Sequence, residues 1–169
     1  MKRQTVPWAI TSLRVVALPF LIYSFSQQIE AATCALFLFA ICTDFLDGYA
    51  AKKLGVASTL GSYFDAAADF LFVSVVFLVF ILDGFYSLWI LLLIVAVFAQ
   101  FIATSLFSKR AIYDPVGKYY GSLMYGGIGL TLLFPEQQVY DIVTVGVVVF
   151  TAASLFSRLA YLLRKQNRK

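Results

Sequence analysis

Four aspartates in the first half of the chain form two pairs whose spacing suits a helix. Asp44 and Asp47 are three residues apart, and Asp65 and Asp69 are four residues apart. Both spacings place the side chains of a pair on one helix face. Carboxylates favour Mg²⁺, Mn²⁺ or Ca²⁺ over zinc, and two divalent ions would balance four negative charges. The pattern predicts a two-metal site of the kind used in phosphoryl and nucleotidyl transfer.

The composition shows what kind of structure must hold these carboxylates. The chain has 169 residues, of which 62% are hydrophobic and 13% are charged, and its mean hydropathy is +0.87. A soluble domain has roughly a quarter charged residues, and a small core cannot bury this much apolar surface. The sequence contains no histidine, which removes the commonest general base and zinc ligand. These values exclude a soluble monomer and indicate a polytopic membrane protein.

We predict an all-α membrane protein with six transmembrane helices, preceded by a short N-terminal amphipathic helix, in a single domain over residues 1–169. Thr5 is placed to cap the amphipathic helix, and the first span would begin near Arg14. The second span can extend to Lys52 if its aspartates face inward. The predicted apolar segments cover residues 6–25, 31–43, 59–82, 85–107, 119–134 and 139–163.

Basic residues predict the orientation of these spans. With the N-terminus in the cytoplasm and six alternating spans, all 13 lysines and arginines fall on the cytoplasmic side. Basic residues favour the cytoplasmic face of a membrane protein. We therefore expect an integral protein of the cell membrane with both termini and the four aspartates on the cytoplasmic side.

Two sequence runs carry a resemblance to a known family. The runs are D-F-L-D-G-Y-A-A-K from Asp44 to Lys52 and G-S-Y-F-D-A-A-A-D from Gly61 to Asp69. They resemble the signature of the CDP-alcohol phosphotransferases, D-x2-D-G-x2-A-R followed by G-x3-D-x3-D, and match seven of its eight fixed positions. The departure is Lys52, which keeps the charge of the usual arginine but loses its bidentate fork. Thr11, Arg14 and Pro19 are similar to the T-x2-R-x4-P segment of the phosphatidylglycerophosphate synthases in this family.

The resemblance implies a transferase that moves a lipid-phosphate group from a CDP-linked lipid to an alcohol and releases CMP. It implies two Mg²⁺ or Mn²⁺ ions held by Asp44, Asp47, Asp65 and Asp69, with Asp69 also the general base for the acceptor hydroxyl. It further implies a homodimer. The residues that would bind the CDP donor are Gly48, Ala51, Lys52 and Gly61.

Basic residues near the cytoplasmic ends of the last three spans predict the type of acceptor. Together they could bind a phosphate group, which favours a small phosphorylated alcohol. Glycerol 3-phosphate is the acceptor that the T-x2-R-x4-P segment favours, and inositol phosphate or another polar alcohol is the alternative. We expect no nucleic-acid partner. The proposed acceptor residues are Lys109, Arg110, Lys118 and Arg158.

Two functions of other classes remain open at this point. A divalent-cation transporter would also carry membrane aspartates, but it would place them near the bilayer midplane, often within an internal repeat. A membrane scaffold could use the glycine-rich fifth segment for helix packing, but it would leave the aspartate pattern unexplained.

Overall fold

The computed structural model describes residues 5–53, 59–108 and 115–166, and the regular structure in these ranges is α-helical. This confirms the predicted all-α fold. The helices are α1 (Thr5–Ser26), α2 (Glu30–Lys53), α3 (Thr59–Leu82), α4 (Leu88–Ser108), α5 (Pro115–Leu133) and α6 (Gln137–Gln166).

The first two helices differ in detail from the predicted segments. Helix α1 runs without a break from Thr5 to Ser26, so the separate N-terminal amphipathic helix is a wrong prediction for this range. Pro7 lies in the first turn, where a backbone N–H has no partner within the helix, and so it does not end the helix. Helix α2 continues to Lys53, which confirms the longer form of the second segment.

Several helices are suited to a bilayer, and the protein is an integral membrane protein. Four stretches within the described ranges are long and apolar enough to cross a membrane: Ala9–Ser26, Glu30–Tyr49, Tyr63–Leu82 and Gln137–Ser157. Helix α4 adds a shorter apolar stretch, Leu88–Ala103. The expectation of six spans stays a prediction.

The chain divides into two compact units, Met1–Val79 and Phe80–Lys169, and its treatment as one domain stays a prediction. In the first unit, α1 packs against α2. A short turn joins them, in which Gln28 adopts a positive φ of 57°. Across this turn the Thr33 hydroxyl donates a hydrogen bond to the Ser24 hydroxyl at 3.0 Å. The two helices therefore form an antiparallel hairpin that is pinned at its turn.

In the second unit, α6 packs against both α4 and α5. Its buried positions recur every three or four residues, as expected for one helix face, and include Tyr140, Val143 and Val147. An aromatic cluster covers one end of this packing, where the rings of Phe85 and Tyr140 stack with centroids 4.9 Å apart.

Candidate active site

Helix α1 presents one buried face toward the aspartates of the first unit. Thr11, Arg14, Ala17, Leu18 and Leu21 are all buried, and their spacing of three or four residues places them in one stripe. The apolar members of this stripe form part of the core. Its two polar members, Thr11 and Arg14, lie in the N-terminal half of α1 and contact the aspartates.

The Arg14 guanidinium bridges both aspartate-bearing helices. Its Nη2 lies 2.8 Å from Asp44 Oδ1 and 3.1 Å from Asp47 Oδ2, both on α2. Its Nη1 donates to Asp69 Oδ1 on α3. The side chain of Arg14 is completely buried. One guanidinium therefore draws together three carboxylates that come from two helices.

The Thr11 hydroxyl makes a second bridge between the same helices. Its Oγ1 lies 2.9 Å from Asp47 Oδ2 on α2 and 2.8 Å from Asp65 Oδ1 on α3. A hydroxyl carries one hydrogen, so it can donate fully to only one of these carboxylates at a time. Together, Thr11 and Arg14 connect all four aspartates to one turn of α1.

The aspartates differ in their exposure. The side chain of Asp47 is 4% exposed, that of Asp69 is 33% exposed and that of Asp44 is 44% exposed. Asp65 is partly buried. The cluster thus has a closed floor at Asp47 and an accessible rim at Asp44 and Asp69, so a ligand can reach it from the rim.

The donor chemistry of this cluster fits a hard divalent cation. Asp44 Oδ1 and Asp47 Oδ2 share Arg14 Nη2 as a neighbour, so they cannot lie more than about 6 Å apart. Asp47 Oδ2 and Asp65 Oδ1 are limited in the same way by Thr11. One guanidinium compensates only one of four negative charges, if all four carboxylates are ionised.

The carboxylates are not grouped for metal binding in the arrangement the structure shows. Among the described residues, no three His, Cys, Asp or Glu side chains are close enough together to hold a metal ion. Magnesium requires ligand distances of about 2.0–2.1 Å. The carboxylates here engage Arg14 and Thr11 instead. Metal ligation by Asp44, Asp47, Asp65 and Asp69 stays a prediction.

The structure places two of the predicted donor-site glycines beside these aspartates. Gly48 follows Asp47 directly on α2, and a Cβ atom added to it would meet no described residue outside its own stretch of helix within 4 Å. Gly61 lies in the first turn of α3 and is partly buried. Open space next to Gly48 leaves room for a ligand at the rim of the cluster. The side chains of Ala51, Lys52, Lys118 and Arg158, and the whole of Lys109 and Arg110, lie outside what the structure describes.

Thr11 and Arg14 are site residues that the spacing of the aspartates did not reveal. The sequence pattern placed Thr11 and Arg14 in the T-x2-R-x4-P segment and counted Arg14 with the cytoplasmic basic residues, but it did not predict contacts with the aspartates. A charged side chain within an apolar helix was the available signal, because such a residue is costly in a membrane and normally faces an internal partner. The structure places it among carboxylates.

Comparison with known proteins gives several relatives with partial coverage. A CDP-diacylglycerol–glycerol-3-phosphate 3-phosphatidyltransferase of Wigglesworthia glossinidia brevipalpis is 33% identical over 52% of this chain and 50% of its own length. The protein of the same name from Yersinia pestis is 33% identical over 67% of this chain and 62% of its own. A cardiolipin synthase (CMP-forming) of Oryza sativa is 40% identical over 43% of this chain and 23% of its own. The chain thus spans about half the length of the bacterial relatives it matches.

The family comparison covers nearly the whole chain. The family model described as CDP-alcohol phosphatidyltransferase matches residues 4–157. This range contains all four clustered aspartates together with Thr11 and Arg14. It also reaches from α1 into α6, so the match includes helices of both compact units. The chain that builds this aspartate cluster belongs to the CDP-alcohol phosphatidyltransferase family.

Proposed function

We propose that this protein transfers a phosphatidyl group from CDP-diacylglycerol to glycerol 3-phosphate and releases CMP. The observation that carries the proposal is the convergence of Asp44, Asp47, Asp65 and Asp69 on Thr11 and Arg14. The printed names of the bacterial relatives support the choice of donor and acceptor.

The proposed reaction forms one phosphorus–oxygen bond and breaks another. The acceptor hydroxyl attacks the phosphorus that carries the lipid, and the bond from this phosphorus to the CMP oxygen breaks. The hydroxyl proton passes to the carboxylate of Asp69, which acts as the general base. Asp69 suits this role because it is one-third exposed at the rim, whereas Asp47 is closed off.

Asp44, Asp47, Asp65 and Asp69 would hold two Mg²⁺ or Mn²⁺ ions. Such ions would neutralise the diphosphate and the negative charge that develops during transfer. The CDP donor would approach α2 at Gly48 and Ala51, where the open space beside Gly48 supports its access. Lys52 would contact the diphosphate, and Gly61 would lie on the α3 side of the donor.

The acceptor would be held by its phosphate group. Lys109, Arg110, Lys118 and Arg158 are the proposed contacts, since a phosphate dianion requires cations that a neutral alcohol does not. Inositol phosphate is the alternative acceptor of the same charge type. The name of one relative, cardiolipin synthase (CMP-forming), supports the release of CMP and makes another alcohol the second candidate.

The proposed setting is the cell membrane, with both termini and the aspartate cluster on the cytoplasmic side. The proposed assembly is a homodimer, and the chain acts as one domain in each subunit. Lateral access from the bilayer would admit the lipid tails of the donor.

CMP release by the purified full chain in detergent tests the proposal. We expect turnover with CDP-diacylglycerol, glycerol 3-phosphate and Mg²⁺, and none with excess EDTA. Inositol phosphate, serine and phosphatidylglycerol complete the acceptor panel. A higher kcat/KM for an unphosphorylated alcohol would contradict the charged acceptor site. Alanine variants at the four basic positions should raise the acceptor KM and leave the donor KM nearly unchanged for at least two of them.

A divalent-cation transporter would give a different result with the same purified protein. Protein reconstituted in vesicles would then carry Mn²⁺ across the bilayer and release no CMP. Metal-dependent CMP release without ion flux supports the transferase.

A further inference from the structure

The Arg14 guanidinium occupies the place between the carboxylates where a cation is needed. It contacts Asp44 and Asp47 on one side and Asp69 on the other. The side chain is fully buried, so water does not share in neutralising the cluster at this point. A buried charge without a partner is strongly destabilising, so Arg14 and the carboxylates depend on each other in this arrangement.

The fit of Arg14 is incomplete. Its Nε is buried and has no hydrogen-bond partner among the described residues. The guanidinium offers five N–H donors in a flat fork, and it reaches the carboxylates through Nη1 and Nη2. A buried donor left unused reduces the net stability of the arrangement. The pairing is therefore one that a stronger cation can replace.

We infer that Arg14 is the resident counter-cation of the aspartate cluster, and that a divalent ion and the Arg14 guanidinium exclude each other from it. The inference rests on the metal site in the proposed function. A divalent ion with ligands at about 2.1 Å requires the carboxylate oxygens to close on a point that the guanidinium now separates. Arg14 must then withdraw, and its N–H donors become available to a phosphate oxygen of a substrate.

This exclusion predicts whether metal affinity rises or falls when the guanidinium is removed. If Arg14 occupies the cluster most of the time, the apparent metal affinity is the intrinsic affinity reduced by the fraction of molecules in which the cluster is open. An open fraction of about 1–10% weakens binding by about ten- to a hundredfold. Removing the guanidinium should therefore tighten metal binding. A residue that merely supports the carboxylates would give the opposite result.

The inference is tested by measuring Mn²⁺ binding to the purified full chain with electron paramagnetic resonance, in the absence of substrate. We expect Arg14→Met to bind Mn²⁺ about ten- to a hundredfold more tightly than the wild type. Arg14→Lys should lie between them, because an ammonium keeps the charge but not the fork. The matched control is Lys53→Met, which removes the same charge from an exposed position on α2 and should change the affinity little.

Thermal stability gives a second readout that does not depend on affinity. In EDTA, Arg14→Met should unfold at a lower temperature than the wild type, and Mn²⁺ should stabilise it by more than it stabilises the wild type. If Arg14→Met cannot be purified as a folded protein, tighter Mn²⁺ binding by Arg14→Lys carries the test.

The outcomes separate this inference from the proposed function. Unchanged or weaker Mn²⁺ binding by the folded Arg14 variants would overturn the exclusion while leaving the metal site intact. An absence of Mn²⁺ binding in the wild type and in every variant would overturn the metal site and the exclusion together.

Discussion

The Arg14 guanidinium lies 3.1 Å from the carboxylate of Asp47, and the two side chains are 0% and 4% exposed. This is the most enclosed ion pair in the described cluster. Its partners come from α1 and α2, which already pack as a hairpin. The pair therefore links the packing of the first two helices to the chemistry of the site.

Thr11 should be needed for catalysis through its hydroxyl. Thr11→Val removes a hydrogen bond to a buried carboxylate, and such a loss costs about 1–3 kcal/mol. We expect kcat/KM to fall about tenfold or more for Thr11→Val, while Thr11→Ser retains most of the activity. Steady-state CMP release measures both. Equal activities of the valine and serine variants would show that the bridge between Asp47 and Asp65 has no role.

Asp69→Asn should bind the donor and fail in transfer. An amide cannot accept the proton of the acceptor hydroxyl, but it keeps the size of the side chain. Donor binding is measured by calorimetry with a CDP-lipid, and transfer by CMP release. Asp141→Asn is the control, because Asp141 is an exposed carboxylate on α6 that is hydrogen-bonded to Gln137. Substantial turnover by Asp69→Asn would remove Asp69 from the role of base.

Gly48→Ala should affect donor binding without lowering stability. Beyond its own stretch of helix, the added methyl group meets no atom of the described residues within 4 Å, and alanine is the better residue in a helix by about 1 kcal/mol. We expect thermal stability to be kept or raised. The donor KM should nevertheless rise, because the methyl group would occupy the space that the donor needs. An unchanged donor KM in the stable variant would place the CDP group elsewhere.

Lys52 should act on the donor through its charge. Lys52→Ala should raise the donor KM, and Lys52→Arg should match or lower it, since arginine can form two hydrogen bonds to the diphosphate. Lys53→Ala is the matched control, because Lys53 is exposed and its ammonium lies 5.6 Å from the Tyr49 ring centroid. If both alanine variants changed the donor KM equally, the change would come from the overall positive charge and not from a direct contact between Lys52 and the diphosphate.

Tyr86 should contribute to stability in the second unit without affecting catalysis. Its hydroxyl lies 2.6 Å from Thr131 Oγ1, and Thr131 donates its own hydrogen to the Gly127 carbonyl, so Tyr86 is the donor. Burial raises the pKa of Tyr86 to about 12. Tyr86→Phe should lower the free energy of unfolding by about 1 kcal/mol near neutral pH.

The pH dependence of Tyr86 has a definite sign. Above pH 10 the unfolded state loses the tyrosine proton first, while the folded state keeps it up to about pH 12. Stability from this residue is therefore complete below pH 10 and declines as the pH rises to 12. The thermal midpoint of Tyr86→Phe should fall less steeply over this interval. Parallel curves for the two proteins would contradict the raised pKa.

The sequence was a good guide to the helices because their apolar runs are long. The segment predicted at residues 59–82 coincides with α3. The error at α1 arose because the first span was placed to begin near Arg14, after a separate helix capped by Thr5, whereas one helix runs from Thr5 to Ser26 with Pro7 in its first turn. The segment predicted at residues 119–134 begins later than α5, which starts at Pro115. Gly117 and Lys118 interrupt the apolar pattern in the first turn of this helix.

The sequence predicts the aspartate pairs of the site but not the residues that connect them. The pairing of Asp44 with Asp47, and of Asp65 with Asp69, follows from helix periodicity alone. Their common contacts with Thr11 and Arg14 depend on which face α1 turns toward α2 and α3, and periodicity within one helix does not fix the face of another. Arg14 was therefore interpreted as a topology signal and as part of the T-x2-R-x4-P segment, and its complete burial among the carboxylates was not predicted.

The order of Arg14 and the aspartates along the chain has a consequence for biosynthesis. Helix α1, with the guanidinium, is synthesised before α2 and α3, with the carboxylates. Inserting an aspartate into a bilayer is costly unless a partner is already present. Because α1 and α2 form a hairpin, Asp47 can enter the membrane beside Arg14 as a neutralised pair. Arg14, which neutralises the aspartates in the finished protein, is thus also placed to assist the insertion of α2.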